Sequence, residues 1–291
     1  MSFLPFIQVD VFTQRPFFGN PVAVVLGAEA LTPGSMQRIA AWTNLSETTF
    51  VLPPSSDQAD YRLRIFTPKQ ELPFAGHPTI GSAHAVIESG YAPLKDAQLR
   101  QECLAGIVRL FVEESAAGKQ IFVQAPHPKI TTLDREFNAS LMAALGALPG
   151  IAPEALSIDI GVVWIVVELR DAAAVATLEP DMPAVATLSQ SVNSTGVTVF
   201  GRATDSTAPF HVRSFAPGLG VPEDPVCGSG NAAVAACLLH RGELNAIGSR
   251  YIARQGMQVG REGQVTVHVD GESIRIGGYS MTCVDGRLRI D

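Results

Sequence analysis

Apolar residues along this chain fall into short runs separated by turns that contain Gly and Pro. Residues 6–11 and 22–26 are rich in β-branched side chains and read as strands joined by a turn at 16–21. Thr32-Pro33 predicts a helix start, with Thr32 as N-cap and Pro33 at the first helical position. Ile39, Ala40 and Trp42 are expected on the core side of that helix. Strands are expected at 49–52 and 61–66, where Arg62-Leu63-Arg64-Ile65 alternates as a half-buried antiparallel strand does. A helix is predicted over 77–89, with Pro78 near its start and Gly90 just past its end. Strands at 99–103, 107–113 and 120–125 complete the first half.

The second half is expected to begin with a helix over 134–145. Strands at 156–160 and 162–169, a helix over 183–192, strands at 196–200 and 209–215 and a helix over 229–240 follow. Four short strands near Arg250, Val265, Ile274 and Leu288 are expected to close the chain. Runs of strands with few helices predict an α+β class built on antiparallel sheet, not a doubly wound parallel fold.

The two halves echo each other. Arg64-Ile65-Phe66-Thr67-Pro68 and Arg213-Ser214-Phe215-Ala216-Pro217 share the pattern R-x-F-x-P, and each precedes a Gly-led helix of small residues. The first of these helices runs from Gly76-His77-Pro78 to Gly90, the second from Gly228-Ser229-Gly230 to Gly242. The interval from Gly76 to Gly228 equals that from Gly90 to Gly242. Ala alone would account for helicity. The repeated order of strand, loop, Gly and helix at a fixed interval argues for two copies of one unit.

Composition narrows the function. A chain of 291 residues, 46% hydrophobic, can bury two cores, and two domains of about 140 residues are the usual solution at this length. Only 17% of residues are charged, which argues against disorder. The net charge of -7, with no cluster of Lys and Arg, argues against nucleic acid and for a small-molecule partner. Cys103, Cys227, Cys237 and Cys283 form no C-x-x-C pair, so no zinc site and no disulfide-stapled domain is expected. No signal peptide and no apolar run of about 20 residues is found. A reduced, cytoplasmic setting without membrane contact is therefore expected.

Candidate chemistry gathers at the two helix starts. Unpaired backbone N–H groups there favour an anion, and Gly76, Gly228 and Gly230 would let a substrate approach the backbone. Two such ends facing each other could hold a carboxylate substrate from both sides. His77 could carry a proton or a hydrogen bond near neutral pH, or cap its helix. Asp224, ahead of Pro225, could accept a hydrogen bond from a substrate or cap a turn. Cys227 lies where a helix start would stabilise a thiolate. The equivalent position in the first half is Ala75, so a symmetric thiol pair cannot form. Glu47, in a polar stretch between a helix and a strand, reads from composition alone as solvated surface.

Four blocks together carry a family resemblance. They are Val9-Asp10-Val11-Phe12 leading to Gly19-Asn20-Pro21; Ser46-Glu47-Thr48-Thr49-Phe50; Arg64-x-Phe66-Thr67-Pro68 leading to Gly76-His77-Pro78-Thr79; and Glu223-Asp224-Pro225-Val226-Cys227-Gly228-Ser229-Gly230. In this order, across most of the chain, they resemble the PhzF-like phenazine-biosynthesis family within the diaminopimelate-epimerase-like fold. The resemblance implies two duplicated domains, each a curled, barrel-like antiparallel sheet around a central helix, with the site in the cleft between them. The expected domains are residues 1–126, completed by 279–291, and residues 127–278. It also implies a homodimer and no metal, flavin, nicotinamide or pyridoxal cofactor. By the same resemblance Glu47 is the acid–base residue and His77, Asp224, Gly228 and Ser229 line the substrate site; His77 and Asp224 are expected to act with Glu47, and Ser46, Gly76 and Cys227 to bind substrate beside them.

One departure matters. Epimerases of this fold carry one cysteine ahead of each central helix, and here only Cys227 is present. The leading expectation is an isomerase that moves a proton within a small carboxylate substrate, Glu47 being shielded enough to take and give a proton near neutral pH. A racemase, epimerase or dehydratase of amino or hydroxy acids is the second reading, and a non-catalytic binding protein the third.

Overall fold

The structure, a computed structural model, describes residues 2–147 and 154–290. The chain forms two compact units. The first holds the described residues up to Val123 and those from Gly277 onward; the second is Gln124–Ile276.

In the first unit the order is β1 (Phe3–Val11), β2 (Asn20–Leu26), α1 (Pro33–Thr43), β3 (Thr48–Leu52), β4 (Tyr61–Phe66), β5 (Glu71–Leu72), α2 (Gly76–Glu88), β6 (Gln98–Cys103), β7 (Gly106–Ser115) and β8 (Gly118–Gln124). Helix α1 starts as its sequence demands: the Thr32 side chain accepts a hydrogen bond from the Ser35 N–H, and Pro33 opens the first turn. It ends at Asn44, whose φ of 55° is left-handed. Trp42 does not face the core and is 75% exposed. Met36 and Ala40, one turn apart, define the buried face, and two residues beyond Ala40 the helix has turned about 200° away from it.

The second unit contains β9 (Lys129–Thr132), α3 (Arg135–Ala144), β10 (Leu156–Asp159), β11 (Val163–Glu168), α4 (Ala172–Ala176), α5 (Met182–Ser191), β12 (Gly196–Arg202), β13 (Phe210–Ala216), β14 (Val221–Asp224), α6 (Gly228–His240), α7 (Leu244–Ile247), β15 (Arg250–Gln255) and β16 (Gly263–Asp270). One last strand, β17 (Ser273–Arg289), starts in this unit and ends in the first. It replaces the two separate strands expected near Ile274 and Leu288. The Gly277-Gly278 pair inside it is not a break: a Cβ on Gly277 would lie 2.2 Å from the Ile121 carbonyl oxygen, so the glycine permits close approach of β8.

The sheet of the first unit closes on itself. β1 pairs antiparallel with β2, β2 parallel with β3, β3 antiparallel with β4, β4 parallel with β6, and β6, β7 and β8 follow antiparallel. β8 pairs with β17, and β17 returns antiparallel to β1. The second unit repeats the plan: β10–β11 antiparallel, β11–β12 parallel, β12–β13 antiparallel, β13–β15 parallel and β15–β16 antiparallel. The sheets are therefore mixed, not purely antiparallel. Every parallel pair spans a helical crossover, as parallel neighbours require.

Helices α2 and α6 are the central helices, almost wholly buried. Close wrapping requires small residues: a Cβ on Gly81 would stand 2.4 Å from Val22 Cγ1, and one on Gly230 would stand 2.5 Å from Ser214 Oγ. Polar rungs tie each helix to its sheet, Thr49 Oγ1 to Ser82 Oγ at 2.8 Å and Gln101 Nε2 to Thr79 Oγ1 at 3.1 Å in the first unit. The outer face of the first sheet packs Val25, Phe50 and Phe66 against Met36 and Ala40 of α1. In the second, Leu141, Val175 and Val185 of α3, α4 and α5 cover Ile165, Val197 and Phe215.

The repeated arginines have structural partners. Arg64 donates to both carboxylate oxygens of Glu71, at 2.7 and 2.7 Å, and Arg213 to both of Glu223, at 2.9 and 2.7 Å. Each fork clamps the hairpin that leads into a central helix.

Candidate active site

The first unit places two candidate residues in contact. The turn after α1 carries Glu47 to the foot of β3, where its backbone carbonyl accepts a hydrogen bond from the Ala23 N–H. Its Oε2 lies 3.2 Å from His77 Nε2, and the two side chains are 15% and 8% exposed. A glutamate that composition assigns to solvated surface is thus largely shielded. Ser46, its neighbour, is exposed.

His77 is the second residue of α2. The N-cap of that helix, Ala75, makes no side-chain capping bond; the His77 ring turns instead toward Glu47 and toward Asn20, whose Nδ2 is 3.4 Å from Nδ1. Burial lowers the His77 pKa to about 3, only partly offset by the Pro21 carbonyl. At neutral pH the ring is therefore neutral. A neutral imidazole can give or accept a hydrogen bond but lacks the extra proton of an imidazolium. Asn20 was not singled out as a site residue by sequence reasoning. Its signal was the Gly19-Asn20-Pro21 block, which reads first as a turn; the Gly19 N–H donates to the buried Asp10 carboxylate at 3.2 Å. Gly76 has open space where a side chain would stand.

The second unit gathers Asp224, Cys227 and Ser229. Asp224 ends β14 and does cap its turn, accepting from the Val226 N–H at 3.0 Å. Loss of water pushes its carboxyl up to about 6, against the stabilising Cys227 and Val226 hydrogen bonds. The backbone is fixed from behind: Gln255 Nε2 donates to the Asp224 carbonyl at 2.9 Å, and Asn231 Nδ2 links Gln255 Oε1 to the Cys227 carbonyl at 3.0 and 2.9 Å.

Cys227 is the N-cap of α6, its sulfur accepting from the Gly230 N–H at 3.2 Å. The helix start does not make it a thiolate. Burial, and then the Asp224 carboxylate beside it, drive its pKa upward and outweigh the Ser229 and Gly230 hydrogen bonds. Gly228 is buried and Ser229 half-buried. The Ser229 hydroxyl accepts a hydrogen bond from Trp164 Nε1 at 3.0 Å. Nothing in the sequence pointed to Trp164, which reads simply as a core aromatic in a strand.

Each unit thus presents at its central helix start a carboxyl group beside a second polar side chain: Glu47 with His77 at 3.2 Å, and Asp224 with Cys227. Such groups can move protons. Among the described residues no three His, Cys, Asp or Glu side chains converge as metal ligands. No described helix is long and apolar enough to cross a membrane.

Comparison with known proteins agrees with this architecture. A family model for PhzC-PhzF, described as phenazine biosynthesis-like protein, matches residues 9–286. The chain is 41% identical to antisense-enhancing sequence 1 of Schizosaccharomyces pombe, over 97% of this chain and 97% of that protein. It is 33% identical to trans-2,3-dihydro-3-hydroxyanthranilate isomerase of Pseudomonas aeruginosa, over 95% of this chain and 94% of the relative. The crystal structure of a PhzF-family phenazine biosynthesis protein from Bacillus anthracis superposes with a TM-score of 0.87 at 27% identity, covering 100% of both chains. The match to the family model over nearly the whole chain, with isomerases among relatives above 30% identity, shows that this protein belongs to the PhzC-PhzF phenazine biosynthesis-like family and is an enzyme of the isomerase class.

Proposed function

We propose that the enzyme moves a proton within one small carboxylate substrate, with Glu47 as the single acid–base group. The observation that carries this reading is the shielded Glu47 carboxyl, 3.2 Å from His77 at the start of α2. A carboxylate there removes a proton from a carbon activated by a conjugated acid and returns it to another carbon on the same face. Neutral His77, braced against Asn20, orients Glu47 and hydrogen-bonds to it or to the substrate. The backbone N–H groups at the starts of α2 and α6, beside Gly76 and Gly228, stabilise the developing charge. We propose that both units act on the same substrate molecule: Asp224 accepts a hydrogen bond from its amine or hydroxyl, Ser46 and Ser229 bind it, and Cys227 supports Asp224. The step requires no cofactor, and the working form is proposed to be a homodimer.

An epimerase is the second reading. It needs a base on each face of the substrate, and an Asp224 carboxyl that titrates near 6 beside a thiol offers a second acid–base group.

Mass spectrometry and NMR separate the two. The enzyme, without added cofactor, is incubated with trans-2,3-dihydro-3-hydroxyanthranilate and a panel of cyclic and amino-acid carboxylates. The proposal expects a product of unchanged mass with a shifted double bond. Inversion at one carbon with the double bonds unmoved would favour the epimerase, and loss of water a dehydratase.

A further inference from the structure

Ser229 and His77 occupy the same place in the duplicated plan, the second position of a central helix. Each is met by a nitrogen from the second strand of its own β-hairpin, Asn20 Nδ2 of β2 at 3.4 Å from His77 and Trp164 Nε1 of β11 at 3.0 Å from Ser229. The two units keep the contact and change its chemistry.

An indole N–H can only donate, whereas a hydroxyl both donates and accepts. The bond from Trp164 therefore takes an acceptor lone pair of Ser229 and leaves the hydroxyl proton to be given elsewhere. Trp164 is 3% exposed, and its strand is paired on both sides, with Ile158 and with Gly196; the indole cannot easily turn away. Inside the unit the other contact of the hydroxyl is Cys227 Sγ at 3.5 Å. Sulfur is a weak acceptor, and this one already accepts from the Gly230 N–H.

We propose that Trp164 is a positioning residue: its indole N–H fixes the Ser229 hydroxyl as a donor directed at the anionic group of the substrate. The role rests on the proton-transfer function proposed above. It predicts a preference for substrates with a carboxylate at that point over those with an amide or ammonium group.

The test removes the N–H and keeps the ring. Trp164 is replaced by 3-benzothienylalanine, in which sulfur stands for the indole nitrogen, and separately by Phe. Both are assayed by solvent deuterium incorporation with the panel substrate that the wild type exchanges fastest. Loss of one hydrogen bond should raise KM by up to about tenfold and change kcat by less than about twofold. Ser229→Ala should raise KM alike, and Ser229→Ala combined with the benzothienyl replacement should be no worse than either alone. An unchanged KM, a loss confined to kcat, or additive effects in the double variant would overturn the role. A wild type that exchanges no member of the panel would sink the proton-transfer reading itself and this role with it; exchange by the wild type with an unresponsive benzothienyl variant would sink the role alone.

Discussion

Three ionisable residues of the candidate site depart from their ordinary states because burial penalises charge more than their neighbours relieve it. Asp224 gives the clearest consequence. Its folded pKa, about 6, lies above the ordinary 3.8, so the folded state holds its proton more tightly than the unfolded chain. That contribution to stability is complete below about pH 4 and is lost as pH rises through about 6. Asp224→Asn, which can still accept from the Val226 N–H, is therefore expected to be more stable than the wild type at pH 8. The gain should be about 1–2 kcal/mol, allowing for its partial exposure, and should vanish near pH 4. Urea melts at the two pH values measure it, and the same variant should lose activity at both. For Cys227, a thiol that caps α6, Cys227→Ser keeps a capping oxygen and should lower activity less than about tenfold. A loss as complete as that of Glu47→Gln would show that sulfur takes part in the chemistry. Much of this was legible only in part. The motif blocks named Glu47, His77 and Asp224, but protonation follows from burial, which a sequence does not display. Asn20 and Trp164 were missed because their part depends on a strand bringing a donor to a helix far away in the chain.

Elements with local signals were the legible ones. Thr32-Pro33 fixed the start of α1, and Gly90, at φ 69°, lies just past the end of α2. β9 escaped notice because Ile130 is its one apolar residue, so no alternation marks it. Trp42 is apolar but lies off the core face, because the helical turn carries it to the exposed side. The R-x-F-x-P repeat revealed the duplication but not its physical reason, the two Arg–Glu forks. Their settings differ: Arg213 and Glu223 are 6% and 7% exposed, Arg64 and Glu71 16% and 23%. Breaking a buried pair strands a charge and costs about 3–5 kcal/mol, whereas a partly hydrated pair is worth about 1 kcal/mol. Arg213→Met should therefore destabilise the protein severalfold more than Arg64→Met in matched urea melts. Equal effects would mean that the two forks are not distinguished by burial. Since Arg213 also donates to the Val175 and Leu178 carbonyls at 3.1 and 2.9 Å, its loss also removes two hydrogen bonds that hold the end of α4.

On the scale of the whole molecule, one plan is used twice with unlike chemistry at equivalent points: His77 against Ser229, Ala75 against Cys227. That asymmetry suits a single acid–base residue better than a symmetric pair of bases. The duplication and the α+β class could be read from spacing and from the resemblance. The mixed pairing and the shared strand β17 could not, because they arise from crossovers and close approach that local pattern does not encode. The proposed dimer is checked by sedimentation, with a species of two chains expected and a single-chain species against it. Whether Glu47 moves the substrate proton is read in deuterated water. Wild type and Glu47→Gln are compared by proton NMR for label entering a substrate that the wild type converts. Glu47→Gln should bind that substrate with an affinity close to the wild type and incorporate no deuterium above the uncatalysed rate. Incorporation by Glu47→Gln at a rate near that of the wild type would mean that another group moves the proton.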